Sequence, residues 1–200
     1  LCGRPLTEKR RCILGRETAM AEVVWTDDGW LRLKAGGEVP PMTYEVDLPE
    51  VIYPEPAECQ DFDEPTLAHH FKTLRLPLEC MGSLSERPGY LRLYGHEAIT
   101  SANNQSLVAR RLDCFKAEAT VKMEYHPTDF QQMAGLTVFY DTYNFFYLFL
   151  SSDGNGNNEL RIIVRDNLKF YDPLAGGVSV GDATEVWLRV NIHEVNIQFS

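Results

Sequence analysis

Arg16 is the residue of this 200-residue sequence best suited to chemistry, and it lies in the segment Gly15-Arg16-Glu17-Thr18. A guanidinium presents five N–H donors in a rigid planar fork and keeps its charge at any working pH. Such a group can hold vicinal hydroxyl groups of a ligand, or it can orient a reacting carboxylate. The alternative is a structural ion pair, for example with Glu17, that steadies a backbone turn.

Two pairs of acidic residues are candidates for acid–base chemistry or metal binding. Asp27 and Asp28 precede Gly29. Because Asp tolerates tight backbone geometry and Gly adopts positive φ, this segment predicts a turn rather than a catalytic site. Asp61 and Asp63 stand at the start of a strand-rich region. Calcium takes six to eight oxygen ligands, so Asp61 is a candidate for part of a calcium shell, with a solvated strand end as the alternative.

Aromatic rings can stack on a flat ligand and histidines can bind metals, but the sequence favours simpler roles. We expect packing roles for the aromatic residues that flank a turn or lie in strand-like runs: Trp25, Trp30, Trp187 and the tyrosine-rich stretch 140–147. His69 and His70 are adjacent and share no ligand spacing with another histidine. We interpret both as surface or loop residues.

Composition restricts the class of protein. The formal net charge is −10 and basic residues cluster only at residues 9–11, so we do not expect nucleic-acid binding. The longest apolar run, residues 145–150, is far shorter than the roughly 20 residues of a membrane span, so we expect no membrane partner. Five cysteines without C-x-x-C spacing favour free thiols in a reducing compartment and a cytoplasmic location.

The pattern of apolar residues predicts an all-β fold. From Phe115 to Tyr125 apolar and polar residues alternate, which predicts a strand with one buried and one solvated face. Further strand-like runs, separated by turn-rich segments, occupy residues 136–140, 145–150, 160–165 and 186–192. Several antiparallel strands of this kind are typical of a sandwich or barrel. Residues 48–56 contain three prolines and are interpreted as a linker.

Ordered blocks of sequence resemble one family over nearly the whole chain. The segments Leu1–Leu6, Cys12–Thr18 and Trp25–Leu33 resemble the last blade of the five-bladed β-propeller in family 43 glycoside hydrolases of the β-xylosidase branch. Five later blocks resemble the C-terminal concanavalin A-like (jelly-roll) β-sandwich of these enzymes: Asp61–Asp63, Thr73–Pro77, Arg87–Gly95, Gln105–Arg111 and Phe130–Leu136. The resemblance implies a blade at residues 1–48, a Pro-rich linker at 49–60 and a sandwich at 61–200, with both ends truncated against the family pattern.

The resemblance also implies a function. The parent protein would be an inverting glycoside hydrolase of the β-xylosidase or α-L-arabinofuranosidase type, acting on short xylo-oligosaccharides in xylan degradation. Its catalytic carboxylates would lie upstream, so no catalytic residue is assigned to this chain, and Arg16 would line the substrate pocket. The chemistry would need no cofactor, with a structural calcium at Asp61 left open. Expected partners are the sugar substrate and the upstream propeller, with homo-oligomer formation left open; the alternative is a non-catalytic carbohydrate-binding module.

Overall fold

The computed structural model describes residues 2–43 and 45–200. The chain divides into two compact units, which we call the N-terminal unit, ending at Ala57, and the sandwich unit, Glu58–Ser200. Within the described residues, no helix has the length and apolar character needed to cross a membrane. The all-β prediction is confirmed.

The regular structure of the N-terminal unit consists of short strands. They are β1 (Cys2–Gly3), β2 (Glu17–Thr18), β3 (Val23–Trp25) and β4 (Leu31–Leu33). β1 pairs with β2 and β3 with β4, both antiparallel. Trp25 and Trp30 are 73% and 69% exposed, so neither ring is packed within the described residues, and the blade packing predicted for them stays a prediction. The physical reason for their exposure is that a two-stranded hairpin has no second layer of its own to cover such rings.

A tight turn joins β3 to β4, as the sequence predicted. The Thr26 amide donates to the Trp30 carbonyl oxygen at 3.0 Å, and the Gly29 amide donates to the Thr26 carbonyl oxygen at 2.8 Å. Gly29 has a φ of 79°, a left-handed conformation that glycine adopts without steric cost. The Asp27–Gly29 segment is therefore part of the hairpin turn.

The sandwich unit is built from antiparallel strands and one four-residue helix. Its elements are β5 (Phe71–Thr73), α1 (Leu78–Met81), β6 (Gly82–Ser83), β7 (Arg92–Leu93), β8 (Val108–Arg110), β9 (Lys116–Glu124), β10 (Ala134–Asp141), β11 (Asn144–Ser152), β12 (Asn158–Asp166), β13 (Lys169–Tyr171), β14 (Val178–Gly181), β15 (Glu185–His193) and β16 (Asn196–Phe199). One sheet has the order β10-β11-β12-β13, with β14 also paired to β12, and another has the order β16-β15-β9. β5 pairs with β8, and β6 pairs with β7.

The core of the sandwich unit centres on β11 and β15. Phe145 and Phe149 are each 1% exposed on one face of β11, while Leu148 and Leu150 are 5% and 0% exposed on the other. Because successive side chains of a strand point to opposite faces, β11 is covered on both sides. Leu188, Val190 and Ile192 of β15 are also buried, and β10 contacts β15 between the two sheets.

Alternation on β9 and β15 follows the predicted period of two. On β9 the residues predicted to be solvated are mostly exposed, and Val121 and Met123 are half-buried. Trp187, however, lies on the outer face of β15 opposite Lys122 and is 66% exposed, so the packing predicted for it is wrong. The buried face of β15 is formed by its even-numbered residues, and an odd-numbered residue must point outward.

The tyrosine-rich stretch 140–147 is only partly packed. Tyr147 is largely buried, and this burial raises the pKa of its hydroxyl. The Tyr147 ring stacks on Phe149 with centroids 5.0 Å apart. Tyr140 is 85% exposed, so the packing prediction is wrong for it, whereas Tyr143 is 51% exposed and its ring centroid lies 4.8 Å from the Arg165 guanidinium on β12.

Candidate functional site

Arg16 precedes β2 and follows a turn at Gly15. Gly15 has a φ of 77°, and its carbonyl oxygen accepts a hydrogen bond from the Cys12 thiol at 3.0 Å. These features shape the backbone without using the Arg16 side chain. Within the described residues the guanidinium is exposed and forms no hydrogen bond or ion pair, so the alternative pairing with Glu17 is not formed. All five donors are therefore available to a ligand.

Asp28 serves the hairpin turn. Its carboxylate accepts hydrogen bonds from the Thr26 hydroxyl, from the Trp30 amide at 3.4 Å and from the Arg32 guanidinium at 2.9 Å. The Thr26 hydroxyl, followed by Arg32, holds the pKa of Asp28 below its usual value. A carboxylate engaged by these donors has a structural role in the turn.

The Asp61 carbonyl oxygen and Asp63 Oδ1 both lie close to Gly89. Phe62 adopts a left-handed φ of 59°. A methyl group added to Gly89 would lie 3.8 Å from the Asp61 carbonyl oxygen and 3.4 Å from Asp63 Oδ1. Two oxygens are fewer than the six to eight that calcium takes, and among the described residues no three His, Cys, Asp or Glu side chains are grouped to hold a metal. Calcium at Asp61 stays a prediction, and the residues present do not complete a shell by themselves.

A buried polar contact joins two of the sequence blocks. Gln105 is 2% exposed, its side-chain amide donates to the Ile99 carbonyl oxygen, and its Oε1 accepts a hydrogen bond from the Arg75 guanidinium. Arg75 has a φ of 67°, so this contact holds a left-handed backbone turn in place. These two blocks therefore build the sandwich.

Arg87 ties a third block to β9. Its Nη2 donates to Glu124 Oε1 at 2.9 Å, and its guanidinium lies 3.7 Å from the centroid of the Tyr90 ring. The hydrogen bonds from Arg87 lower the pKa of Glu124 to about 2. This charge-assisted pair fixes the block against the sheet edge.

His70 differs in part from the sequence-based interpretation. Both of its ring nitrogens are buried and have no hydrogen-bond partner in the part of the chain that the structure describes. Desolvation, aided by nearby basic groups, lowers the pKa of the imidazole. His70 lies in a turn and is half-buried, so it is a loop residue as predicted, and it differs from an ordinary one in the burial of its ring nitrogens. The residues around His70 show no alternation of apolar and polar side chains from which this burial could have been predicted.

Antiparallel sheets packed around β11 and β15 define a sandwich of the concanavalin A-like class. Residues 59–200 match the family described as the beta xylosidase C-terminal concanavalin A-like domain, and the chain belongs to this family. The resemblance to the C-terminal part of β-xylosidases is thus confirmed.

Relatives align with the N-terminal unit as well as with the sandwich unit. The beta-xylosidase of Bacillus subtilis strain 168 is 36% identical over 211 residues, which cover 97% of this chain and 38% of the relative. Xylosidase/arabinosidase 43B of Humicola insolens is 38% identical over 209 residues, covering 100% of this chain and 38% of the relative. The crystal structure of xylan beta-1,4-xylosidase from Bacillus halodurans C-125 has a TM-score of 0.89 and 42% identity, covering 99% of this chain and 38% of that one. The chain therefore spans 38% of the length of these relatives.

Proposed function

We propose that this chain is the C-terminal part of a glycoside hydrolase of the β-xylosidase or α-L-arabinofuranosidase type. The observation that carries the proposal is the extent of the similarity. Relatives named beta-xylosidase and xylosidase/arabinosidase align with 97% and 100% of the chain, so both units have counterparts in one kind of enzyme. The substrates would be short xylo-oligosaccharides or arabinosides, cleaved at the non-reducing end.

The proposed mechanism is single-displacement hydrolysis with inversion. It needs two carboxyl groups roughly 6.5 to 9.5 Å apart, one to protonate the leaving oxygen and one to activate water. We assign both groups to a propeller upstream of this chain. The N-terminal unit would complete that propeller as its last blade. In support, Val23 and Leu31 are 48% and 52% exposed on β3 and β4, as expected for strands that require a further β layer.

Arg16 would contribute to the pocket that holds the terminal sugar. Its unengaged guanidinium can donate two parallel hydrogen bonds to vicinal hydroxyl groups or to a catalytic carboxylate. Either contact gains strength as charge develops on the reacting sugar, and such a gain is what accelerates a reaction. The free state of this side chain supports the assignment.

The sandwich unit would be structural in this scheme. The free cysteines among the described residues, Cys12, Cys59, Cys80 and Cys114, support a reducing, cytoplasmic location.

The proposal is tested with the full-length protein and four substrates: an aryl β-xyloside, an aryl α-arabinofuranoside, xylobiose and polymeric xylan. We expect release of xylose or arabinose from the small substrates and little from the polymer. Absence of activity on every small substrate would contradict the proposal.

A carbohydrate-binding module is the second candidate, and the exposed Trp187 is the observation that favours it. A flat indole on a sheet surface can stack on a sugar ring. Calorimetric titration of the 200-residue chain with xylotriose separates the candidates. A structural sandwich gives no saturable binding up to millimolar ligand, whereas a module gives micromolar to low-millimolar binding that Trp187→Ala abolishes.

A further inference from the structure

His70 lies in the turn immediately before β5 of the sandwich unit. The Phe71 amide donates to the Ala68 carbonyl oxygen at 2.9 Å, which closes the turn. Lys72 Nζ donates to the His69 carbonyl oxygen at 2.7 Å. β5 then pairs with β8, where Phe71 lies opposite Arg110. The conformation of the turn and the pairing of β5 are therefore linked.

The half-buried His70 ring lies beside two other rings. Its centroid lies 4.7 Å from that of Phe71 and 5.5 Å from that of His69, the latter in an edge arrangement. Both His70 nitrogens are buried, and within the described residues neither has a hydrogen-bond partner. Buried polar groups of this kind are rare, because each has lost water without gaining another partner. His70 therefore occupies its site as an uncharged, apolar ring.

The charged groups that act on His70 are all basic. They are Arg110 on β8, together with His69 and Lys72 on either side of the ring in sequence. None of these groups can compensate a positive charge on the imidazole. Protonation of His70 in the folded domain would therefore place an unpaired cation in a desolvated site next to other cations, which is strongly unfavourable.

We propose that the protonation state of His70 controls the stability of the turn at residues 68–71 in the sandwich unit. While the ring is neutral, the turn stays in place before β5, and proton uptake by the ring releases the turn together with the pairing of β5 to β8. The direction of the pH dependence follows from linkage. Folding lowers the pKa of His70 below the roughly 6.5 of an unperturbed histidine, so the unfolded chain binds more protons than the folded chain in the pH range between the two pKa values. Stability is fully present above about pH 6.5 and falls as the pH decreases, by up to about tenfold in the folding constant per pH unit.

The test is urea unfolding of the 200-residue chain between pH 7.5 and 5.0. His70→Phe keeps a flat ring and removes the titrating group, and His69→Gln removes the neighbouring imidazole as a matched control. We expect the folding constant of the wild type, relative to His70→Phe, to fall as the pH decreases below about 6.5, with a slope of at most about tenfold per pH unit. The His69→Gln variant should keep the wild-type slope. Parallel pH profiles for the wild type and His70→Phe would overturn the proposal.

A second measurement needs no variant to fold. Proton NMR titration of the wild type should show the His70 imidazole taking up its proton only below about pH 6.5. Amide hydrogen exchange at β5 and β8 should accelerate before exchange at β11 as the pH falls. A native His70 that titrates at or above about 6.5 would show that its site tolerates the charge and would overturn the proposal.

Discussion

Arg16 is the side chain on which the proposed link to catalysis depends. We predict that Arg16→Ala in the full-length protein lowers kcat/KM for an aryl β-xyloside by about 100-fold or more. The physical reason is the loss of a charge-assisted contact that strengthens toward the transition state, on the scale of about 3 kcal/mol. Steady-state kinetics measures the loss, and thermal unfolding checks that the variant is folded.

Arg32 provides the matched control for Arg16. It is also an exposed arginine of the N-terminal unit, but its guanidinium is engaged by Asp28 at 2.9 Å in the hairpin. Exposed pairs of this kind contribute little to stability. Arg32→Ala should change kcat/KM less than threefold. A similarly small effect of Arg16→Ala in a folded protein would assign Arg16 to a structural role.

Glu124 carries a pH dependence of its own. Its pKa is about 2 in the folded chain because of the Arg87 hydrogen bonds, against 4.5 for an unperturbed glutamate. The unfolded chain binds the proton first, so the stability supplied by the pair is present above pH 4.5 and is lost as the pH falls toward 2. We predict that Glu124→Gln is less stable than the wild type at pH 7 and that the difference shrinks by pH 3, measured by urea unfolding. A difference that is equal at both pH values would contradict this origin.

Single residues differed in how far the sequence revealed their surroundings. The outward position of Trp187 was readable, because Leu188, Val190 and Ile192 already define the buried parity of that strand. The electrostatic surroundings of His70 were not readable, since they include Arg110, which lies far away in sequence on β8. Likewise, residue types alone do not show that the Arg16 side chain has no partner among the described residues, because this depends on the conformation of its turn.

At the scale of elements, Gly135 determines how closely β10 lies beside β11. It pairs with Phe149, and a methyl group added to Gly135 would overlap the Leu148 carbonyl oxygen and lie 2.6 Å from Phe149 Cα. We predict that Gly135→Ala destabilises the chain by about 1 to 3 kcal/mol or more, because β10 must shift from β11. Urea unfolding measures the loss.

Gly95 is the control for that substitution. A methyl group added there meets no atom within 4 Å. Gly95→Ala should therefore change the stability by less than about 0.5 kcal/mol, as is usual for surface substitutions. Equal losses for the two variants would show that backbone freedom, rather than the contact with β11, explains the effect.

Long strands with strict alternation were predictable from the sequence, and short ones were not. β9 and β15 each carry a period-two pattern over nine residues, which indicates a half-buried strand on its own. β5 and β8 have three residues each, and their pairing is supported by the contact between Arg75 and Gln105, thirty positions apart. No local pattern encodes a contact at that separation.

At the scale of the whole molecule, we propose that this chain and the rest of the protein form the enzyme together. The chain spans 38% of the length of these relatives, and its N-terminal unit exposes apolar side chains on β3 and β4. The family was recognisable from ordered blocks, whereas the position of the catalytic carboxylates came only as an implication of that resemblance. This division is the central claim.

Hydrolysis of an aryl β-xyloside, followed by proton NMR of the first-formed sugar, tests the claim most directly. The full-length protein should release xylose whose anomeric configuration is inverted relative to the substrate, because in the proposed single displacement water attacks opposite the leaving group. The purified 200-residue chain should release none, because we propose that the two carboxyl groups lie upstream of it. Hydrolysis by the chain alone, or a retained configuration in the product of the full-length protein, would contradict the account.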